Sequence, residues 1–571
     1  MCDVVFITPN MTGNVLGESL GSLQLATILQ QQGISCDIIQ YFRIGDANKL
    51  EDFLARCVEM VGQRQPKILS LYTRCDVYHI QLRIAQRIKE TWPEIYVVCG
   101  GPQSDITAEE TIRRIPWVDF VCCGEGENTI YPLFSSLLRG EPDLSVDGLV
   151  YRQNGDVVKN PRPQLIQDLD QLPMLDFSLF HFSDDAQDDT PFPVDVGRGC
   201  PFGCTFCSTK SFWGRKFRLK SPQRIIAEIK LLHDQFGITR FNFSHDMFTF
   251  DRKKVAEVCK LMKTLDFSLE WGCSARLDCI DKEMIDVMAD AGMKGIYLGI
   301  ETGSPRMQKL IKKNLKLETA VEIVAYLKKR GIETTASFIY GFPEETEEDL
   351  SQTMALIGKL LALRSVKVQT HLCAFLVGTE LSVRYWDQMT PVDYYSDQTG
   401  DVAVDTCKDL IQDHPQLFQH MFEYKTELRS KLGYFPAFFH VWRFMQPVYQ
   451  YLAQKYPENR LIDMYYDFVE ANQEILQNLD QAPENGKGYW LSVSDKLPEK
   501  FAQDEKYDII RDMYKYRLMQ ASDVVTSGGD ATEVFCFDVG QIGKVPLESL
   551  TRCLAMVNWS GKKCNIQIFP V

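Results

Sequence analysis

Long apolar runs are missing from this chain: no stretch approaches ~20 uninterrupted apolar residues, and even 435–452 is broken by His440, Arg443 and Gln446. A membrane-spanning helix is excluded. Positive charge is in deficit as well, since 62 Lys plus Arg stand against 77 Asp plus Glu and leave a net charge of −15. The average surface repels nucleic acid and anionic membrane, so neither is expected as a partner. The start, Met1-Cys2-Asp3-Val4-Val5-Phe6-Ile7, has no basic segment and no small-residue cleavage site. It reads as the first strand of a cytoplasmic fold, not as a signal peptide. No tandem repeat is present.

What is there is ordinary globular material: 45% hydrophobic, 11% aromatic and 24% charged residues over 571 positions. By the usual ~150 residues per domain that length implies three or four domains. The 18 cysteines are scattered along a long chain, a pattern of free core thiols plus one metal site and not of a secreted disulfide framework.

Residues 1–150 alternate short β-rich runs (4–8, 67–72, 96–100) with amphipathic helical stretches (22–32, 80–91), which predicts a parallel sheet flanked by helices. Ligands of such sheets sit at the carboxyl ends of the strands. The loops there are Pro9-Asn10-Met11-Thr12-Gly13 and Gly100-Gly101-Pro102-Gln103, whose glycines either admit a ligand closely or only turn the chain. Residues 151–193 form a linker in which prolines accumulate beside the acidic run Asp184-Asp185 and Asp188-Asp189. From 194 to 380 the strand and helix rhythm resumes, with strands expected at 240–244, 270–275, 295–299, 335–340 and 367–372. Five such units imply a full or partial (β/α) barrel. From 381 to 571 the pattern turns mainly helical and aromatic, with helices expected at 422–431, 437–455, 459–477 and 508–520. A terminal strand-helix-strand is expected at 533–537, 547–556 and 565–569. Tyr434, Phe438, Phe439 and Trp442 fall at helical spacing and read as core.

The chemistry is carried by Gly199-Cys200-Pro201-Phe202-Gly203-Cys204-Thr205-Phe206-Cys207, which puts three thiols at CxxxCxxC spacing in a Gly-rich loop. Soft thiolates select zinc, copper(I) or an iron-sulfur cluster. Closed structural zinc takes four ligands, and no fourth cysteine or suitably spaced histidine lies near; His233 and His245 are distant in sequence. Three ligands on a four-iron cluster leave one iron open, as a catalytic cluster requires.

This loop resembles the signature of the radical SAM superfamily, with Phe206 as the aromatic residue before the last cysteine. The resemblance implies that Cys200, Cys204 and Cys207 hold a [4Fe-4S] cluster. Its open iron would chelate S-adenosylmethionine and its electron would release a 5′-deoxyadenosyl radical. It extends along the strands. Ser244-His245-Asp246-Met247-Phe248 is similar to an element near the methionine end of the cofactor, which implicates Asp246. Trp271 through Asp278 supplies Arg276, whose planar fork suits either the cofactor carboxylate or a salt bridge at the barrel rim. Leu298 through Ser304 places Glu301 against the ribose hydroxyls, with Gly303 and Ser304 beside it. Gly341, in the stretch Ser337 to Thr346, is expected along the adenine, while Glu344, Glu345 and Thr346 are expected to cap the next helix.

The first domain resembles the Rossmann-like cobalamin-binding domain that precedes the barrel in a branch of that superfamily, through Gly100-Gly101-Pro102 and Gly124-Glu125-Gly126-Glu127. Phe212-Trp213-Gly214-Arg215, Arg218 and Ser221-Pro222 are similar to a stretch of the anaerobic magnesium-protoporphyrin ester cyclase. Asn10, Thr12, Gly13, Gly100, Gly101, Pro102, Gly124 and Glu125 are the expected cobalamin contacts. The first-strand loop holds no histidine, so cobalt is not ligated from it, and His79 is expected to be structural.

The implied activity is an anaerobic, cytoplasmic, cobalamin-dependent methylation of an unactivated carbon of a natural product or peptide, fed by a flavodoxin- or ferredoxin-type reductant. The alternatives are a non-methylating radical reaction (cyclisation, rearrangement, or epimerisation through Cys273, Cys279, Cys373 or Cys407) and a non-catalytic redox sensor. Those cysteines read first as buried apolar residues. The basic run Arg215, Lys216, Arg218 and Lys220 either admits a negatively charged reductant or substrate or, as is more usual for such a run, is a solvated face.

Overall fold

The computed structural model describes residues 2–10, 20–42, 50–179, 191–363, 366–391, 407–444 and 446–477, with four short strands between 526 and 569. Among the described residues no helix is long and apolar enough to cross a membrane.

The first sheet is built from β1 (Val4–Asn10), β2 (Cys36–Phe42), β3 (Ile68–Tyr72), β4 (Tyr96–Gly100), β5 (Phe120–Cys122), β6 (Leu149–Gln153) and β7 (Asp156–Lys159). Their order is β2-β1-β3-β4-β5-β6-β7, parallel through β5 and antiparallel at β6 and β7. The alternation of the pleat divides β1 between two cores. Val4 and Phe6 share one with Leu23, Ala26 and Leu29, while Val5 and Ile7 share the other with Leu54 and Ala85. Chain direction reverses its lateral progress between β1 and β3, the switch point where such sheets open a crevice. The sheet runs on to Lys159, past the boundary at 150. Residues 160–179 then cross the helix Leu20–Gln31, where Gln24 donates to the Pro173 carbonyl at 3.4 Å and the Asp176 N–H donates to Thr27 at 3.0 Å.

The second sheet contains β8 (Phe192–Asp195), β11 (Arg240–Ser244), β12 (Glu270–Arg276), β13 (Met293–Glu301), β14 (Glu333–Tyr340) and β15 (Val366–Leu372), all parallel and adjacent in chain order. Between β8 and β11 lies a two-residue antiparallel ladder of β9 (Gly197–Arg198) and β10 (Arg218–Leu219). The five expected strands are joined by β8 as a sixth, and β8 and β15 are edges, so the barrel is partial.

The C-terminal segment divides. Residues 407–422 return to the first domain, where Gln103 donates to the Leu417 carbonyl at 2.7 Å, Arg83 pairs with Asp409 at 2.5 Å, and the Tyr78 and Phe418 rings stand 5.7 Å apart. The expected helix at 422–431 begins instead as a strand, β17 (Phe422–Tyr424), antiparallel to β16 (Met389–Pro391), and becomes helical only at Glu427–Lys431. The expected helix at 437–455 is two, Phe435–Phe444 and Gln446–Ala453. Phe438 is central to an aromatic cluster with Phe435, Trp442, Tyr449, Tyr465 and Phe468 at 5.4–5.9 Å; Phe438, Phe439 and Trp442 are core as expected, and Tyr434 is partly buried against it. Glu533–Asp538 and Cys564–Phe569 pair in parallel, whereas the expected helices at 508–520 and 547–556 and the acidic run at 184–189 lie outside the described residues.

A buried ionic clamp joins the two sheets. Arg198 donates to Glu125 at 2.6 Å and to Glu127. Arg218 donates to both oxygens of Glu125 at 2.9 Å and to the Ile166 carbonyl at 2.5 Å. The Ile166 N–H closes the set on Glu125 at 2.5 Å. Both guanidiniums also stand near the Trp213 ring, 5.8 and 5.5 Å from its centre. Lys220 is equally buried, on Glu228 at 2.9 Å and Asp195 at 3.4 Å. The basic run is therefore not a solvated face as a whole. Arg215 and Lys216 are exposed, but Arg218 and Lys220 point inward to carboxylates.

Burial would raise the Glu125 carboxyl, but Arg218 and Arg198 outweigh it and hold it below the usual range. Its contribution to stability is accordingly present above the unfolded-state value of about 4.3 and is lost as pH falls through the lower folded value. Glu125→Ala leaves two buried guanidiniums without their shared counter-charge. It is expected to cost roughly 3–5 kcal/mol at neutral pH, read as a lowered first transition in calorimetry. An unchanged transition would show that the clamp is not holding the domains.

Candidate active site

Both sheets aim their carboxyl ends into one cleft of about 940 Å³, which receives Tyr72, Gly100 and Gly124 from the first domain and Asp195, Ser244, Arg276 and Glu301 from the barrel. Cys200, Cys204, Phe206 and Cys207 line the barrel end of the same cleft.

The cysteine loop is fixed by its backbone. Gly199 has φ +82°, and a Cβ there would run into the Lys216 carbonyl, so the turn into Cys200 requires glycine. The Thr205 N–H donates to the Ile311 carbonyl at 3.0 Å, and the Thr205 carbonyl accepts from the Leu381 N–H at 2.9 Å. Burial pushes the Cys200 thiol up to about 11 and also raises Cys207. In the unloaded protein these sulfurs are protonated at neutral pH, so a bound metal must displace their protons. Three thiols facing one cleft from a pinned loop fit a cluster ligated at three corners. The Phe206 ring packs against Phe342 at 5.9 Å and closes the loop's inner side.

The Arg276 guanidinium lies over the Phe202 ring, 3.7 Å from its centre, with Nη1 3.8 Å from the Cys204 sulfur. Its Nε and Nη2 fork onto Asp278 at 3.0 and 2.9 Å, and Nη2 also donates to the Lys313 carbonyl at 2.7 Å. The rim salt bridge is thus formed, and Nη1 is the atom directed at the thiols. Asp246 lines the cleft, where burial raises its carboxyl and Thr209 stands 3.5 Å away. Next to it, burial pushes His245 down to about 4. Its Nδ1 accepts the Met247 N–H at 2.7 Å, which assigns the proton of this neutral ring to Nε2.

Glu301 is buried on the cleft wall at φ +69°, a left-handed conformation that costs a side-chain-bearing residue energy and concentrates at functional positions. The register of β13 against β14 shifts between Gly299 and Glu301 to accommodate it, and Lys313 pairs with its Oε1 at 2.5 Å.

Three residues expected at the cofactor do not line the cleft. Gly303 is packed on the backbone of Gln352 and Thr353, and Ser304 caps the helix Pro305–Leu310 while donating to Asp349 at 2.5 Å. The Gly341 N–H donates to Glu345 and its carbonyl accepts from Arg429, each at 2.5 Å. These groups support the rim. Thr346 caps its helix as expected, in a reciprocal capping box with Asp349. Glu345 does not cap; burial pushes its carboxyl up to about 8.

On the first-domain side Gly100, Gly101, Pro102, Gly124 and Glu125 all reach the cleft. Gly101 has φ +109° and abuts the Thr73 backbone, so it turns the chain, whereas nothing crowds the α-hydrogens of Gly100. Glu125 reaches the cleft with both its oxygens engaged in the clamp. Asn10 ends β1, and Thr12 and Gly13 lie outside the described residues. His79 is fully buried. Tyr72, Arg74, Trp213, Ser274, Tyr297 and Lys313 line the cleft without having been anticipated. Lys313 and Tyr297 sit in no motif. Trp213 was visible only as part of an aromatic pair.

Comparison with known proteins supports this arrangement. Residues 12–133 match the B12 binding domain and residues 194–357 match the radical SAM superfamily. An uncharacterised methyltransferase of Pyrococcus horikoshii is 32% identical over 303 residues, 53% of this chain and 66% of that one. The anaerobic magnesium-protoporphyrin IX monomethyl ester cyclase of Rubrivivax gelatinosus is 30% identical over 305 residues, 52% of this chain and 54% of that one. The chain thus spans between half and two thirds of these relatives' length. Among solved structures, the cobalamin-dependent S-adenosylmethionine radical enzyme OxsB superposes over 99% of this chain and 81% of its own with TM-score 0.61 at 14% identity. The radical S-adenosylmethionine methyltransferase TsrM of Kitasatospora setae covers 68% of this chain and 76% of its own with TM-score 0.57 at 16% identity, a likeness of fold. The chain therefore carries a B12 binding domain followed by a radical SAM domain, with the strand ends of both meeting in one cleft.

Proposed function

We propose that the chain is a cobalamin-dependent radical SAM enzyme that methylates an unactivated carbon of a small molecule or peptide, using an external one-electron reductant. The reading is carried by the single cleft, because a methyl carrier and a radical source act on one carbon only if they face the same space. When bound, the cluster and cobalamin supply the electron that splits S-adenosylmethionine and the carrier for the methyl group.

The chain's own residues position and exclude. Cys200, Cys204 and Cys207 hold the cluster, and Phe206 with Phe342 keeps water from its inner side. Glu301, held in its strained conformation and fixed by Lys313, presents a carboxylate for the ribose hydroxyls of S-adenosylmethionine. Arg276 Nη1 and Asp246 are placed for its carboxylate and amino groups beside Cys204 and Cys207. The open backbone at Gly100, with Pro102 and Gly124, forms the wall offered to cobalamin. Of the cysteines considered as hydrogen donors, Cys273, Cys373 and Cys407 are buried and none of the four lines the cleft, which counts against an epimerase.

The test uses oxygen-free protein loaded with cluster and hydroxocobalamin, methyl-labelled S-adenosylmethionine and dithionite. Release of S-adenosylhomocysteine that requires cobalamin, together with 5′-deoxyadenosine that Cys204→Ala abolishes, is the expected outcome. 5′-Deoxyadenosine alone would favour the non-methylating reaction, and neither product would overturn the enzyme reading. Glu301→Gln removes a charge-assisted contact worth about 1.5–3 kcal/mol and is expected to raise the KM for S-adenosylmethionine by roughly 10- to 100-fold. An unchanged KM would remove Glu301 from the nucleotide site.

A further inference from the structure

We infer that the face of the protein outside the cysteine loop docks a small acidic protein that carries one electron, an inference that rests on the cluster assignment above. A second cavity, of about 360 Å³, meets the same two thiols, Cys204 and Cys207, but is lined otherwise by Gly203, Lys210, Ser211 and the segment Gly378 to Arg384, none of which lines the main cleft. In the loaded enzyme nucleotide and substrate occupy that cleft. The second cavity is therefore an approach to the cluster that does not pass through them.

Its rim is basic in a chain whose net charge is −15. Lys210 and Arg384 are exposed on it, and the Arg215 guanidinium lies against Gly203, close enough that a Cβ there would strike it. Lys312 stands beside them, paired with Glu380 at 2.7 Å, and Arg384 spans Glu380 at 2.8 Å and Glu344 at 3.1 Å. Four cations, Lys210, Arg215, Lys312 and Arg384, thus stand here against two acidic side chains, Glu344 and Glu380, which are tied to Lys312 and Arg384. Val383, 74% exposed, is an apolar contact in the middle of the charged ring, the pattern of a small transient interface with a water-excluding centre. A basic ring steers an acidic partner and repels a basic one. The transfer is a single electron from the reduced carrier to the oxidised cluster, with no bond made or broken in the docking step.

The experiment compares the cluster-loaded, full-length protein with its Lys210→Glu/Arg384→Glu variant, reading 5′-deoxyadenosine under two electron sources. One is a flavodoxin with its reductase and NADPH, the other dithionite. With flavodoxin at low ionic strength the variant is expected to fall about tenfold or more, the wild-type rate to fall with added salt, and Lys210→Gln/Arg384→Gln to lie between. With dithionite all forms are expected to agree within about twofold, because that anion is too small to need the surface. Lys367→Glu, a charge reversal on a remote exposed residue, is expected to be silent. A flavodoxin rate that survives the reversal would overturn the inference, as would equal losses with both sources, which would mean that the cysteine loop itself is damaged. If wild type yields no 5′-deoxyadenosine with dithionite, the underlying cluster reading fails and this inference falls with it.

Discussion

The structure depends on one buried ionic contact, in which Glu125 is shared by Arg198 and Arg218 and Glu127 takes the remaining arm of Arg198. Glu125 and Glu127 stand in the loop after the fifth strand of the first sheet, and Arg198 is two residues before Cys200. The same contact therefore fixes the crevice of one domain and the entry to the cysteine loop of the other. Such a network is costly to desolvate, and it is worth its cost only when every partner is present. Here backbone groups of Ile166 join it, so the linker is drawn into the same lock. The outcome is one cleft where two domains tethered by a flexible linker would have two.

Inside that cleft the chain supplies little reactive chemistry of its own. His245 is held neutral by burial, the Cys200 and Cys207 thiols are raised, and Asp246 is raised as well. Groups held neutral beside charges already fixed in ion pairs, such as Arg276 on Asp278, suit a site in which a cofactor performs the hard step and the protein positions the target. At Glu301 backbone strain and an ion pair with Lys313 hold a carboxylate in place. That strain is stored locally and sustained by the packing around it.

The fold was legible wherever local periodicity reflects burial. The expected strands of both sheets appear because each is apolar on buried faces, and the Cys200, Cys204 and Cys207 loop was legible because Gly199 is required by its turn. What escaped depends on contacts between residues distant in sequence. Arg218 and Lys220 look like a surface run until Glu125 and Glu228 are brought to them. Phe422 to Tyr424 scans as helix but pairs with residues 389–391. Gly303, Ser304 and Gly341 sit in motifs beside the cofactor-facing residues, yet their own groups are spent on Thr353, Asp349 and Glu345. Motif spacing locates a rim but not which of its atoms face inward.

The central claim is that cobalamin and the cluster face one another across this cleft. Its most direct test is electron paramagnetic resonance on oxygen-free, cobalamin-loaded protein, comparing the cob(II)alamin signal with the cluster oxidised and with it reduced. The account predicts that reduction of the cluster broadens that signal and speeds its relaxation through dipolar coupling. A cob(II)alamin signal indifferent to the state of the cluster would contradict it.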